Sequence, residues 1–379
     1  MPDVVVVGGG IIGAACAHEL ARAGASVTLI ERDELAAGAS GRNQGWLVRP
    51  DDLANGPLFD PSLAFYQEAA ARAPLTVWID PEPVGHLLVG LENDEGPTEL
   101  RDAHLLDRDE LLRLEPALSP RAERGWLEDG GRRLDPAALT VALALLAGEA
   151  GARVRHHLAV RALDVDADRV RGVITDDGRV AADVVVLAAG PWSPSLLDPI
   201  GVRIPVRPAR GWIVRLQPGE PLVRHLVERV GWRESEWRES AGGPPTGRSF
   251  ADHGIRSVGG ALLNPHPDGS VLVGSSREPA IGPEPADPAV PRRQVTDAIE
   301  LVPALAEAEV RSAWWGVRPL SPDDRPMIGR VRDGLVVATG HGSEGVILGG
   351  GTAALVASMV MQAPAPFDPT PFDPLRFGG

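Results

Sequence analysis

Residue types with chemical use gather first at the N-terminus. Gly8-x-Gly10-x-x-Gly13 follows the run Val4-Val5-Val6-Val7 at once and leads into a helical pattern from Ile12 to Ala23. The three glycines serve different ends. One allows a tight turn, one an open approach of phosphate to backbone, and one close packing of helix on strand. A pyrophosphate can then rest on the free N–H groups of the helix start. The next apolar run, Ser26-Val27-Thr28-Leu29-Ile30, ends at Glu31, where a carboxylate can accept from ribose hydroxyls. Strand, glycine turn, helix, strand and acid in that order point to a bound dinucleotide, without saying which.

Two later stretches repeat the theme. Val184-Val185-Val186-Leu187-Ala188-Ala189-Gly190 reads as another buried strand ending in glycine, expected beside the first. Gly190-Pro191-Trp192-Ser193 then falls at a strand C-terminus, where open α/β sheets bind ligands. Near the end, a strand from Leu335 to Thr339 runs into Gly340-His341-Gly342-Ser343-Glu344-Gly345, and a helix is expected from about Gly350 to Met361. Between the first and second units lies Gly38-Ala39-Ser40-Gly41-Arg42-Asn43-Gln44-Gly45, small and polar enough to press its backbone on a flat ligand.

Composition removes other chemistries. The 379 residues suffice for two domains, and a net charge of −15 argues against nucleic-acid or anionic-membrane binding. All 37 basic residues are arginine, so lysine Schiff bases, a P-loop lysine and a lysine base are excluded. The single cysteine, Cys16, allows no disulfide framework, and no metal site is expected. Neither a signal peptide nor an 18-residue apolar run is present, so a soluble cytoplasmic protein is expected.

The elements that must carry these residues alternate in character. A helix is expected at Leu63–Ala73, a strand at Gly85–Gly90, a capped helix over Asp107–Leu114 and a helix from Asp135-Pro136 to about Ala150. His86 and His104 read as strand or surface residues. Strands are expected near 153, 159–165, 170–175, 211–216, 258–263, 270–276 and 308–315. The polar stretch 231–256 is either a lid over a site or a disordered insertion. The tail 364–379, with five prolines, reads as an arm or a disordered end.

These pieces in this order resemble the D-amino-acid oxidase-like family of FAD enzymes, the group of glycine oxidase, sarcosine oxidase and D-amino-acid dehydrogenase. The matching stretches also include Leu114-Glu115-Pro116-Ala117-Leu118, Leu134-Asp135-Pro136, Gly269–Gly274 and Gly316–Gly329, so they span nearly the whole chain. The resemblance implies an α/β fold, a Rossmann-like FAD-binding domain (1–50, 135–200 and 325–363) interleaved with a substrate domain of antiparallel sheet and helices (51–134 and 201–324). It implies non-covalent FAD. Gly8, Gly10, Ile11, Ile12 and Gly13 would hold the pyrophosphate, and Glu31 with Arg32 the adenosine ribose. Ser40, Arg42, Asn43, Gln44 and Gly45 would meet the pyrophosphate and flavin edge, Val160 the adenine, and Ala189, Gly190 and Trp192 a strand end beside the cofactor. Gly342, Ser343, Glu344, Gly345 and Val346 would direct N–H groups at the flavin pyrimidine, where a helix start stabilises negative charge. His341 either adds to that or is a helix-entry residue without chemical role.

The resemblance also assigns Arg318, an arginine before proline, to the substrate carboxylate, a planar two-toothed recognition that a guanidinium suits. Two departures stand out. Leu262 or a neighbour takes the place of a tyrosine found in glycine oxidase-like members, and no lysine is present to assist oxygen. The expected activity is oxidation of the C–N bond of an amino acid or related amine, electrons passing to oxygen or another acceptor. Alternatives are dehydrogenation of another small carboxylate-bearing substrate, or a non-catalytic FAD subunit of a larger oxidoreductase; an oligomer is compatible with either.

Overall fold

The computed structural model describes residues 1–50, 52–92, 94, 96–97, 103–230, 258–280 and 286–378, so the stretch 231–256 lies outside the described residues. In chain order the first strands are β1 (Asp3–Val7), β2 (Ser26–Ile30), β3 (Trp46–Leu47), β4 (His86–Leu91), β5 (His104–Leu106), β6 (Ala122–Glu128), β7 (Arg132–Arg133) and β8 (Arg153–Arg155). There follow β9 (Val160–Asp166), β10 (Arg169–Thr175), β11 (Gly178–Ala181), β12 (Val184–Leu187), β13 (Arg207–Gln217) and β14 (Leu226–Arg229). The last are β15 (Val258–Pro265), β16 (Val271–Pro279), β17 (Glu309–Leu320), β18 (Met327–Arg332) and β19 (Leu335–Thr339). The helices are α1 (Ile11–Arg22), α2 (Gly56–Arg72), α3 (Arg108–Leu114), α4 (Pro136–Glu149), α5 (Ser193–Leu197), α6 (Ala289–Leu301) and α7 (Gly345–Met361).

Four consecutive buried valines make β1 an inner strand, since only a strand covered on both faces stays apolar throughout. It lies in a six-stranded sheet of order β18-β19-β12-β1-β2-β8, parallel except for the β18–β19 hairpin. β12 pairs with β1 as its sequence implies, Val4 opposite Val184. Helices α1, α2, α4 and α7 cover one face, and their apolar sides merge with β1 and β12 into one core. The β9–β11 sheet packs on the other face. The second layer is an eight-stranded sheet, β17-β13-β16-β15-β14-β4-β6-β5, antiparallel except where β14 runs beside β4. Helices α3 and α6 close its back. The fold is thus a Rossmann-like sheet joined to an antiparallel sheet with helices.

Local departures from the sequence pattern have local causes. Helix α2 starts at Gly56, not Leu63, because Pro57 sits in its first turn, where a missing N–H is not needed, and Pro61 is carried inside. Helix α7 starts at Gly345, not near Gly350. Its three consecutive glycines, Gly349–Gly351, hide the helix in sequence, yet they are where α2 lies down: a Cβ on Gly351 would stand 2.2 Å from the Leu58 carbonyl oxygen. Strand β14 has no counterpart in the sequence expectations. The tail is not a loose arm. Phe372 is fully buried, and the Arg376 guanidinium donates to both Asp323 oxygens at 2.7 and 2.9 Å and to the Arg325 carbonyl at 2.8 Å.

Candidate active site

The glycine turn between β1 and α1 is closed tightly enough to need its residue types. A Cβ on Gly13 would lie 1.8 Å from the Gly8 carbonyl oxygen, so only glycine lets α1 sit on the strand. Gly8 itself has φ +111°, a left-handed region that glycine adopts without penalty. Gly10 is the helix N-cap, with no side chain over the first turn, and Ser40 Oγ accepts from the Ile11 N–H at 2.8 Å. Glu31 folds back: its carboxylate accepts from the Gly9 N–H at 2.6 Å and from the Asp33 N–H at 2.8 Å. The Arg32 guanidinium lies 3.9 Å from the Trp192 ring, joining the ends of two sheet strands. Gly190, at φ +54°, accepts from the Thr339 hydroxyl at 2.9 Å, which leaves Ala189 and Trp192 at the same sheet end. Val160 opens β9 and packs behind the sheet, two residues beyond Leu158, whose N–H binds the Glu31 carbonyl.

The loop after Ser40 is a rivet between the layers. Asn43 ties it internally, donating to the Ala39 and Ser40 carbonyls and accepting from the Gly45 N–H. Gln44 donates 3.0 Å bonds to the carbonyls of Leu262 and Leu272, on β15 and β16. The Arg42 side chain donates to the Trp315 carbonyl, and the Trp314 indole to the Arg42 carbonyl, each at 3.3 Å. A Cβ on Gly316 would meet the Arg42 Cβ at 3.1 Å, so that face of β17 looks at the loop.

Side chains alternate along a strand, so Arg318 shares this face with Gly316. Its guanidinium crosses β13 over Gly211, where any Cβ would stand 1.9 Å from Nη1. It reaches β16, donating to the Ser276 carbonyl at 2.7 Å and the Ser275 hydroxyl at 2.9 Å. Asp323 holds Arg376, and Asp52 holds Arg325. Gly274, opposite Leu262 in register, faces Gln44, which brings Leu262 to the same side. Gly211, Ser275 and Ser276 escape a linear reading, because only the sheet register sets them around Arg318.

The other end of β17 meets the start of α7. The Gly342 N–H donates to the Pro319 carbonyl at 2.9 Å, and Leu320 pairs with His341. Helix α7 begins without a side-chain cap, after Ser343 and its N-cap Glu344, so the first N–H groups of Gly345 and Val346 have no partner within the helix. Asn55 donates to the Glu344 carboxylate at 2.8 Å. Among the described residues, the buried Asn55 Oδ1 and Ser321 Oγ at this place meet no hydrogen-bond partner. Helix-start donors beside orphaned acceptors fit the edge of a flat ligand that both accepts and donates. His341 does not add charge there. It is 2% exposed, its ring meets the Thr352 hydroxyl at 3.0 Å, and burial lowers its pKa to about 3, so the imidazole is neutral. Tyr66, the only tyrosine, donates to the Val346 carbonyl at 2.8 Å.

His86 is the strand residue the sequence suggests, the first of β4, but its neighbours are not visible in the sequence. It is buried between two carboxylates from the flanking strands, Glu128 at 2.9 Å and Glu228 at 3.0 Å. Burial pulls its pKa down, but the two glutamate hydrogen bonds outweigh that and raise it to about 9. A raised folded pKa gives stability that is whole below the unfolded value of about 6.5 and lost as pH rises through the folded value. Thermal stability is therefore expected to fall from pH 7 to 10, and more steeply than in a His86→Gln variant; parallel slopes would refute the charged imidazole.

A dinucleotide turn on a parallel sheet, facing an antiparallel sheet that presents an anchored guanidinium, defines a two-layer redox enzyme built on a dinucleotide cofactor. The sequence matches the family model described as FAD dependent oxidoreductase (DAO) over residues 3–359, and the chain belongs to that family. It is an FAD-dependent oxidoreductase. It is 30% identical over 389 residues to a glycine oxidase of Pseudomonas aeruginosa, covering 98% of each. It is 29% identical to the bifunctional protein ThiO/ThiG of Synechocystis, of which it spans about half the length (51%). The solved glycine oxidase of Geobacillus kaustophilus superimposes with a TM-score of 0.83 at 25% identity, covering 100% of this chain and 99% of that one. Among the described residues no helix is long and apolar enough to cross a membrane.

Proposed function

We propose that the enzyme oxidises the C–N bond of a small amino acid or related amine that carries a carboxylate. The anchored Arg318 guanidinium, between the Arg42 loop and the start of α7, is the observation that supports this most. The names of the glycine oxidase relatives point the same way. FAD, when bound, supplies the two-electron acceptor for hydride leaving the substrate carbon. Gly8–Gly13, Glu31, Ser40 and the start of α7 would hold it. Cys16 is buried, and burial raises its thiol pKa, so it offers no thiolate for a cysteinyl link to FAD.

The chain's own residues then orient and select. Arg318 binds the carboxylate and so fixes the adjacent carbon, which makes orientation the main catalytic contribution. The Ser275 hydroxyl and Ser276 carbonyl hold the guanidinium in one pose before substrate arrives. Leu262 gives the face an apolar wall that excludes water and donates no hydrogen bond. With His341 neutral, the N–H groups at the start of α7 are left to stabilise negative charge developing there. The oxidised substrate, an imine, hydrolyses to a carbonyl compound and ammonia or an amine, and electrons pass to oxygen or another acceptor. Product analysis tests this. Ammonia or amine released in step with substrate loss supports C–N oxidation; a keto acid formed from a hydroxy acid, with no amine released from any amino acid, refutes it.

A further inference from the structure

We propose that Glu34, His156 and His157 form a binding site for a divalent transition-metal ion at the adenosine end of the parallel sheet. β2 and β8 are parallel neighbours, with Ile30 opposite Arg155, so the segments that follow them leave the same sheet edge together. The His157 N–H binds the Asp33 carbonyl at 3.1 Å, and the Leu158 N–H the Glu31 carbonyl at 2.9 Å. Adjacent residues of an extended chain point to opposite sides. Here His157 takes φ +55°, which turns its ring to the side of His156, and the two ring centres lie 4.7 Å apart.

The Glu34 carboxylate sits between them. His157 Nε2 is 2.9 Å from Oε1, and His156 Nδ1 is 3.6 Å from Oε2. One ligand atom from each residue falls within 4.8 Å of the others. A tetrahedral zinc with bonds of about 2.0–2.2 Å separates its ligand atoms by about 3.3–3.5 Å. Small rotations of three exposed side chains reach that spacing. Two imidazoles and a carboxylate suit zinc, copper or nickel over calcium or magnesium, and three protein ligands leave a coordination position to water. Among the described residues this is the one such group. The histidines and Glu34 are far apart in sequence, so no ligand spacing reveals them.

The site borders the cofactor turn. Just beyond Glu34, the Leu35 side chain packs on Gly9, and the Ala36 N–H donates to the Gly9 carbonyl at 3.0 Å. An ion that ties Glu34 to the histidines stiffens this turn, and FAD leaves more slowly. The test uses tag-free, chelator-treated holoenzyme titrated with zinc chloride in a calorimeter. One ion per chain at micromolar affinity is expected, weakened at least tenfold in His156→Gln and in His157→Asn. Asparagine tolerates the left-handed backbone, so the second variant keeps the fold. Flavin content and melting curves confirm that both variants are intact. FAD release, followed by its fluorescence, is expected to slow with zinc in the parent and not in the variants. Zinc binding unchanged by both substitutions, or absent at micromolar zinc, overturns the site. Release rates indifferent to zinc in the parent overturn the coupling to FAD.

Discussion

Replacing Arg318 by alanine is expected to lower kcat/KM for a carboxylate-bearing amine by roughly 10²–10³-fold, in line with about 3–4 kcal/mol for a charge-assisted pair in a partly enclosed site. The loss should fall mainly on KM if the guanidinium binds ground state and transition state alike, and on kcat as well if it sets the geometry of the reacting carbon. Arg318→Lys should recover part of the loss, because an ammonium keeps the charge but not the planar fork. Flavin content should stay at the parent level, since the described contacts of Arg318 lie on β16 and over β13 rather than on the glycine turn. A variant with full activity and unchanged KM would remove Arg318 from substrate binding.

Gly13→Ala is expected to abolish FAD retention and to destabilise the parallel-sheet layer by about 3 kcal/mol or more, as overpacking of a closed contact does. The added methyl would stand 1.8 Å from the Gly8 carbonyl oxygen, a backbone atom that cannot swing away. Gly10→Ala is the contrasting case. Its Cβ meets only the Ser40 side chain, whose hydroxyl stands 3.0 Å away, so the fold should survive while a phosphate loses its approach to the backbone. The ratio of flavin to protein absorbance, read beside the melting temperature, separates the two. Equal behaviour of both variants would contradict the division of labour between these glycines.

The glycine turn between β1 and α1 is legible in the sequence because its information is local. Gly8, Gly10 and Gly13 lie at one strand-to-helix turn, and Glu31 follows the next strand, so spacing alone brings them together. The β1–β12 pairing is equally readable, since a valine run leaves a strand few places other than the sheet interior. The substrate side is not local. Arg318 depends on Gly211, Ser275 and Ser276, which reach it only through the registers of β13, β16 and β17. His86 shows no partner at any sequence spacing because Glu128 and Glu228 approach from two neighbouring strands. His341 has the right place for a charged group, but burial, which spacing does not reveal, makes it neutral. The proline-rich tail reads as loose because its anchors are two side chains, Phe372 and Arg376, scattered among prolines.

The most direct measurement is anaerobic titration of the yellow holoenzyme, following flavin absorbance, with matched pairs of compounds. One member of each pair is an amino acid, including glycine, N-methylglycine and D-amino acids, and the other is the same amine without its carboxylate. Bleaching by at least one amino acid, with its decarboxylated partner slower by two orders of magnitude or more, is the expected result. No bleaching by any amino acid would contradict C–N oxidation, and equal bleaching by both members would contradict carboxylate recognition at Arg318.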